Sequence, residues 1–148
     1  MADVMLGRLA RWLRLLGYDT LYDRRAEDEQ LVRICRQSGR ILLSRDRSLC
    51  ARRGLQSLLV ESDDLAEQLV QVVRLYWQPG TVKPRCPLCN GELQAVDKFS
   101  VEGMVPTYVW VTQEEFQRCP SCGLILWKGS HWQRIMAKLQ ALVMACPL

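Results

Sequence analysis

The stretch Gly39-Arg40-Ile41-Leu42-Leu43-Ser44-Arg45-Asp46-Arg47 decides the fold of the first half of this 148-residue chain. Its apolar centre is a continuous run rather than an alternation of apolar and polar residues, as expected of a strand buried on both faces. Such strands are typical of parallel sheets that carry helices on both sides. The flanking sequence should therefore supply further strands and the helices that cover them.

Strand-like and helical segments alternate around this run up to residue 77. Strands are predicted at Met1–Val4, Thr20–Tyr22, Arg40–Ser44 and Leu58–Val60. Helices are predicted over Leu6–Leu16, Glu27–Ser38, Ser48–Arg53 and Asp63–Tyr76. In the first of these helices, the side opposite the apolar residues is expected to carry Arg8, Arg11 and Arg14. The alternation predicts an α/β fold in which right-handed crossovers build a parallel sheet.

The pattern changes at Gln78-Pro79-Gly80, which divides the chain into an α/β domain at residues 1–80 and a second unit at residues 81–148. The second unit holds two cysteine pairs with a strand-like run, Thr107–Val111, between them. A capping-box pattern at Ser130 and Gln133 predicts that a last helix begins at Ser130. The apolar stripe of this helix consists of Trp132, Ile135, Met136, Leu139 and Val143.

The cysteine pairs Cys86-Pro87-Leu88-Cys89 and Cys119-Pro120-Ser121-Cys122 are near copies of each other. Small residues after each pair, Asn90-Gly91 and Gly123, allow the backbone to turn around a metal. Two such pairs supply four thiolates, which fill the tetrahedral shell of a structural zinc ion. The sequence therefore predicts a zinc ribbon whose closed shell leaves no position for a catalytic water.

Other interpretations of these cysteines are weaker. A redox-active C-x-x-C motif or buried free thiols do not account for two matched pairs, whereas an iron–sulfur cluster also accepts four cysteines. His131 is the one histidine in the chain and a ligand in principle, but four sulfurs already complete the shell. The chain has seven cysteines, and an odd number argues against a disulfide framework.

Three aspartates are expected at the carboxyl edge of the predicted sheet, where the ligands of parallel sheets bind. Asp3 follows the first strand, Asp46 follows the buried strand, and Asp28 opens the second helix. Carboxylates that converge at this edge would bind Mg²⁺ or Mn²⁺, which favour oxygen ligands. Such an ion polarises a phosphodiester and lowers the pKa of a bound water.

Each aspartate also has a local explanation. Asp28 is a good helix N-cap, Asp46 could cap the helix after it or pair with a neighbouring arginine, and Asp3 lies near a terminus. Asp63 and Asp64 precede a helix and are expected to cap it, with a fourth metal ligand there as the weaker alternative.

The net charge and the composition of the chain do not by themselves identify a class of protein. The net charge of +4 diagnoses nothing by itself, but all basic residues before residue 80 are arginines. Arginine makes multidentate contacts with phosphate, although solvated helix faces explain the pattern more simply. The sequence shows no secretory signal pattern and no apolar run that could span a bilayer, so we expect a cytoplasmic location without membrane association.

Four stretches together resemble one known family. They are Ala2–Asp19, Gly39–Arg47, Arg85–Gly91 and Trp127–Trp132. Over nearly its whole length the chain resembles the Mut-seven C-terminal RNase domain family, a PIN-like domain fused to a zinc ribbon. The long first stretch and the cysteine motif are specific.

The resemblance implies a PIN-like parallel sheet flanked by helices, followed by a zinc ribbon and a C-terminal helix. It also implies metal-dependent RNA cleavage by a cluster of acids. In this sequence the implied acids are Asp3, Asp28 and Asp46, and the implied zinc ligands are Cys86, Cys89, Cys119 and Cys122. Two features depart from the family: the strand before Asp3 is short, and Ser44 stands where threonine is usual.

The leading hypothesis is a metal-dependent ribonuclease that uses structural Zn²⁺ and catalytic Mg²⁺ or Mn²⁺. The arginines expected to hold the RNA phosphates are Arg8, Arg11 and Arg45. One alternative is a non-catalytic RNA-binding module in which the acids serve as helix caps. Another is a protein-interaction adaptor that binds no RNA.

Overall fold

The first part of the chain is a mixed α/β unit. A computed structural model describes residues 1–76 and 83–144, so the predicted boundary at Gln78-Pro79-Gly80 lies outside the described residues. A 3-10 helix at Val4–Leu6 is followed by α1 (Gly7–Leu15), α2 (Asp28–Ser38), α3 (Arg47–Cys50) and α4 (Leu65–Tyr76). The strands are β1 (Leu42–Ser44) and β2 (Ser57–Leu59), which pair in parallel. The predicted α/β class, with a small parallel sheet and helices, is confirmed.

The two strands predicted before α2 are reduced to single bridges. Ala2 bridges in parallel to Tyr22 and to Leu43, and no longer ladder forms there within the described residues. The chain leaves the sheet at Asp3, because the Asp3 carboxylate accepts a hydrogen bond from Val4 N at 2.5 Å and caps the 3-10 helix.

Strand β1 separates two layers of helices. Leu43 packs with residues of α1 and α4 in one apolar cluster, whereas Leu42 packs with residues of α2 and α3 in another. All three residues of β1 are buried, as the continuous apolar run predicts. Neighbouring side chains of a strand point to opposite faces, so both layers depend on this strand.

The second part of the chain is built on an antiparallel sheet. Its strands, in spatial order, are β3 (Gln94–Val96), β4 (Phe116–Arg118) and β5 (Ile125–Leu126). A 3-10 helix at Lys98–Val101 and helix α5 (Thr107–Thr112) lie in the chain between β3 and β4. Val101 and Val109 from these helices pack with Phe116 in a small core of their own.

The strand predicted at Thr107–Val111 is wrong, because these residues form α5. A strand would place Val109 and Val111 on one face, but Val109 is 1% exposed and Val111 is 62% exposed. The Pro106 carbonyl accepts hydrogen bonds from Val109 N and Trp110 N, which starts the helix. The strand propensity of β-branched residues is weak and depends on context, so packing around one buried side chain overrides it.

Helix α6 (Ser130–Met144) returns to the α/β unit, packs against α4 and begins at the predicted residue. Trp132 of α6 stacks on Trp12 of α1, with ring centroids 5.5 Å apart and an interplanar angle of 19°. Ile135 and Met136 of α6 pack against the apolar cluster that Leu43 forms with α1 and α4. Three other residues discussed above have side chains outside the described set: His131, Leu139 and Val143. No helix in the described ranges is long and apolar enough to cross a membrane.

Gly7 lies where the first 3-10 helix meets α1, and a Cβ atom there would be 2.7 Å from Oη and 2.9 Å from Cζ of Tyr22. Tyr22 donates to the Val4 carbonyl at 3.0 Å, so this contact fixes the segment that follows Asp3. We expect Gly7→Ala to lower the free energy of unfolding by about 1–3 kcal/mol, because the Tyr22 ring has to move. Urea denaturation followed by circular dichroism measures the change.

The matched control is the same substitution in a Tyr22→Ala background, where the space is open. Alanine is the better helix former, so Gly7→Ala should then raise the free energy of unfolding by about 0.5–1 kcal/mol. Equal destabilisation in both backgrounds would mean that Tyr22 is not the cause.

Candidate functional site

Two equivalent turns carry the four cysteines. In the first turn Asn90 N donates to Cys86 O at 2.9 Å, and in the second Gly123 N donates to Cys119 O at 2.8 Å. Asn90 and Gly123 occupy the matching left-handed position, with φ values of 66° and 76°. Glycine and asparagine tolerate this left-handed conformation better than other residues do. This requirement explains why one of these two residues follows each cysteine pair.

The two turns bring four sulfurs together. The Sγ atoms of Cys86, Cys89, Cys119 and Cys122 all lie within 4.8 Å of one another. Sulfurs around one zinc ion, each at a Zn–S distance of about 2.3 Å, would be about 3.8 Å apart, so the cluster could hold a metal such as zinc. Among the side chains that the structure describes, no other group of three or more histidine, cysteine or acidic ligands is this close.

The thiols of this cluster differ in how readily they ionise. Burial raises the pKa of Cys86 to about 12. Burial also opposes the ionisation of Cys119, but hydrogen bonds from the backbone of Cys122 and Ser121 and from Cys89 bring its pKa down to about 6. Cysteine binds a metal as the thiolate, so metal binding would release the protons that the cluster holds.

Arg14 joins the first cysteine turn to α1. Arg14 is only 5% exposed, and its guanidinium donates to the carbonyls of Thr20 at 2.8 Å, Pro87 at 2.9 Å and Leu88 at 3.0 Å. Burial lowers the pKa of Arg14, while the first cysteine pair raises it. The buried charge therefore has partners on both parts of the chain.

Asn90 and Asp19 form a second link between the same two parts. The Asn90 amide accepts from Thr20 N at 3.2 Å and donates to the Asp19 carboxylate at 2.6 Å. Asp19 also pairs with Arg40 at 2.5 Å, and hydrogen bonds from Arg40 and Asn90 lower the pKa of its carboxyl. The first cysteine turn is thus fixed to the α/β unit by two sets of polar contacts.

Asp3 and Asp46 meet at Ser44, the last residue of β1. Ser44 Oγ donates to Asp3 Oδ2 at 2.5 Å and accepts from Asp46 N at 3.0 Å. Ser44 is fully buried and Asp3 is 4% exposed. The residues that follow Ala2 and Ser44 therefore share the carboxyl edge of the sheet, where ligands of parallel sheets bind.

The Asp46 carboxylate caps α3, as one of its sequence-based interpretations proposed. Its Oδ1 atom accepts from Ser48 N at 2.7 Å and Leu49 N at 3.1 Å. Hydrogen bonds from Ser48 and Leu49 also lower the pKa of this exposed carboxyl. Asp46 is therefore ionised near neutral pH, and its Oδ2 atom accepts no hydrogen bond from the described residues.

Asp28 is the first residue of α2 and not its N-cap, which corrects the capping prediction. Glu27 is the N-cap and forms a capping box with Gln30. Arg52 lies 3.9 Å from the Asp28 carboxylate and pairs more closely with Glu29, at 2.5 Å. The Asp28 side chain is 55% exposed.

The three predicted acids do not form a closed ligand set in this structure. The carboxylate oxygens of Asp3, Asp28 and Asp46 do not all lie within 4.8 Å of one another, and each carboxylate has a local partner. Ser44 brings Asp3 and Asp46 together at one edge of the sheet, whereas Asp28 stays at the start of α2.

The predicted RNA-contacting arginines lie on two different elements, helix α1 and the segment after β1. Arg8 and Arg11 are exposed on α1, and neither forms an ion pair with a described residue. Arg45 follows β1 and pairs with Asp63. Asp63 therefore neutralises Arg45 instead of capping α4, whereas the Asp64 carboxylate caps this helix.

The sequence pattern placed Arg14 on the solvent side of α1 with Arg8 and Arg11, and this prediction is wrong. Arg14 follows the buried Ala10 by four residues, and residues i and i+4 share one face of a helix. This spacing was the available signal for its burial. Nothing in the sequence identifies the Pro87 and Leu88 carbonyls as acceptors of its hydrogen bonds, because they lie more than 70 residues along the chain.

The sequence matches the family model described as the Mut7-C RNAse domain over residues 1–139. The chain belongs to the Mut7-C RNAse domain family. No curated protein and no solved structure matches it significantly. The Mut7-C match spans the α/β unit, the cysteine turns and most of α6, and it confirms the family predicted from the sequence.

Ser44→Ala in this Mut7-C domain removes the donor to a buried carboxylate. We expect the free energy of unfolding to fall by about 1–3 kcal/mol, because the Asp3 oxygen loses its partner away from water. The control is Ser48→Ala, since Ser48 also donates to an aspartate but is exposed. This change should lower the free energy of unfolding by no more than about 0.5 kcal/mol. Equal effects of the two changes in urea denaturation would contradict the role assigned to Ser44.

Proposed function

We propose that this Mut7-C domain is a metal-dependent ribonuclease that hydrolyses RNA phosphodiesters at the edge formed by Asp3, Ser44 and Asp46. The observation that carries the proposal is the Ser44 bridge, which holds two acidic residues together at the carboxyl edge of β1. Family membership supports a nuclease-like role, because the matching family is described as an RNAse domain.

Asp3, Asp28 and Asp46 would hold Mg²⁺ or Mn²⁺, since these cations prefer carboxylate oxygens. When bound, the ion supplies Lewis-acid polarisation of the phosphodiester and a water of lowered pKa. Ser44 orients the Asp3 carboxylate, and the hydrogen bonds that cap α3 keep Asp46 ionised. Asp28 would join the site by exchanging its contact with Arg52 for the ion.

Arginines beside this edge would hold the RNA by its phosphates. Arg8 and Arg11 are exposed and available on α1, and Arg45 would exchange Asp63 for a phosphate. Such contacts position a nucleic acid without reading its sequence. Binding should therefore weaken steeply as salt concentration rises.

We also propose that the four cysteines bind one structural zinc ion in a zinc ribbon, and that the sheet and its covering helices are PIN-like. All four sulfurs would be ligands, which leaves no position for a reacting water. The zinc ion would stabilise the ribbon and position it for RNA, while the aspartates serve hydrolysis.

Asp46→Asn tests the proposed catalytic site. We expect cleavage of single-stranded RNA in the presence of Mn²⁺ or Mg²⁺ to fall on the order of 100-fold or more, because an amide cannot supply the charge of the carboxylate. The fold should survive, since asparagine is also a good N-cap. Gel electrophoresis of end-labelled RNA measures cleavage, and circular dichroism checks the fold.

Asp97→Asn is the matched control. Asp97 caps the 3-10 helix at Lys98–Val101 in the same manner, with its carboxylate accepting from Phe99 N at 2.8 Å, but it lies in the ribbon. Its cleavage rate should equal that of the unchanged protein. Undiminished cleavage by Asp46→Asn would refute the catalytic assignment.

A non-catalytic RNA-binding module is the second candidate function. The observation that favours it is that each of the three carboxylates has a local partner and that the three do not converge within 4.8 Å. This alternative predicts salt-sensitive RNA binding with no cleavage at any concentration of Mg²⁺ or Mn²⁺.

Arg14→Lys tests how strongly the zinc site depends on the α/β unit. Lysine keeps the positive charge beside Cys86 and Cys89, but its single nitrogen replaces the two nitrogens, Nε and Nη1, with which Arg14 reaches the two parts of the chain. We expect zinc affinity to fall roughly 10–100-fold, as for other groups that orient a metal site from outside the ligand shell. Competition with a chromogenic chelator measures the zinc affinity. Arg11→Lys is the control, since Arg11 is exposed on the same helix. An equal loss of zinc affinity in Arg11→Lys would contradict the proposed dependence of the zinc site on Arg14.

A further inference from the structure

A cavity of about 560 Å³ lies between α1, the antiparallel sheet and the start of α6. Trp12, Trp127 and Trp132 line it, so three of the five tryptophans in the chain converge on one space. Its size lies within the range of about 300–1,000 Å³ that is typical of ligand pockets. The proposed ribonuclease chemistry uses none of these aromatic side chains.

Two acidic residues, Glu114 and Glu115, also line the cavity. The side chains of Glu114 and Glu115 are 79% and 80% exposed, and they pair with Lys98 at 2.7 Å and with Lys128 at 3.3 Å. A carboxylate offers about four acceptor positions on its two oxygens, so one lysine does not exhaust it. The residues that line the cavity therefore include both aromatic side chains and hydrogen-bond acceptors.

Helix α1 lies between this cavity and the edge of the sheet formed by Asp3, Ser44 and Asp46, which we call the acidic edge. Asp3 caps the 3-10 helix that leads into α1. Arg8 precedes Trp12 by four residues, and Leu15, which also lines the cavity, follows Trp12 by three. Residues at these spacings share one face of a helix, so the exposed Arg8 lies on the same side of α1 as Trp12 and Leu15, and Asp3 caps the turn that precedes α1.

We propose that this cavity binds an unpaired base of the RNA, with guanine preferred, while the adjoining phosphates follow Arg8 towards Asp3. The inference rests on the proposed function, because it names a substrate subsite of the same reaction. Aromatic side chains stack on the faces of bases in single-stranded RNA. Guanine is favoured because its N1–H and N2–H groups present two adjacent donors to a carboxylate, whereas adenine, cytosine and uracil present no such pair.

The test uses the full chain with zinc bound and carrying Asp46→Asn, so that binding is measured without cleavage. Probes are guanosine, adenosine and uridine monophosphates and fluorescently labelled single-stranded RNAs of about 8 nucleotides with or without one guanine. Tryptophan quenching reports the nucleotides, and fluorescence anisotropy reports the RNAs. We expect the guanine-containing probes to bind most tightly.

Two variants separate stacking from base recognition. Trp127→Ala should weaken binding of every probe roughly fivefold to 100-fold through the loss of stacking. The double change Glu114→Gln and Glu115→Gln alters only exposed side chains, so the fold should survive, and the preference for guanine over adenine should fall at least about fivefold.

The matched controls are Phe99→Ala and Glu102→Gln. Both residues are exposed in the ribbon and lie outside the cavity lining, so affinity and base preference should stay unchanged. The inference is overturned if Trp127→Ala weakens binding no more than Phe99→Ala while the double glutamine variant keeps its guanine preference. It is also overturned if an arginine-rich peptide occupies the cavity and the RNA probes do not.

The outcomes for this subsite and for the ribonuclease are separable. Guanine-selective binding by a chain that never cleaves RNA would support the subsite and overturn the proposed ribonuclease. Cleavage that depends on Asp46, without any effect of Trp127→Ala or of the double glutamine variant on binding, would support the ribonuclease and overturn the subsite.

Discussion

The buried guanidinium of Arg14 ties the two parts of this protein together. A charge removed from water costs several kcal/mol unless it is fully paired or hydrogen-bonded. Arg14 meets this requirement with the carbonyls of Thr20, Pro87 and Leu88, one in the α/β unit and two in the first cysteine turn. Separating the two parts would leave the guanidinium without two of its acceptors, so the cysteine turn and α1 are held in a fixed relation.

Helix α1 lies next to several of the sites described above. The segment before it is capped by Asp3 at the acidic edge, Trp12 lines the aromatic cavity at its middle, and Arg14 anchors the cysteine turn near its end. Packing of Trp132 against Trp12 brings α6 onto the same helix. Helix α1 therefore contacts the cavity and the first cysteine turn, and it follows directly after the segment that Asp3 caps.

Local patterns predicted the parts of the fold that depend on local chemistry. The apolar run at Leu42–Ser44 is a strand buried on both faces, and the paired cysteine motifs converge as their repeated turns predict. Prediction failed where distant packing competes with propensity. The segment Thr107–Thr112 has strand-forming residues but is a helix, because the second part of the chain buries only Val109 of its predicted strand face. The first strand ends at Ala2 because Asp3 caps a 3-10 helix.

The sequence by itself determined the family, the α/β class, the four clustered cysteines and the two aspartates that follow adjoining parts of the sheet. These features depend on residue type, on the spacing within short motifs, and on the rule that the carboxyl ends of parallel strands meet at one edge of a sheet. Only the tertiary structure decided that Ser44 joins Asp3 to Asp46, that Arg14 is buried, and that three tryptophans line one cavity. Each of these depends on partners far apart in the chain, whose proximity is set by the packing of whole helices and sheets rather than by any nearby residue.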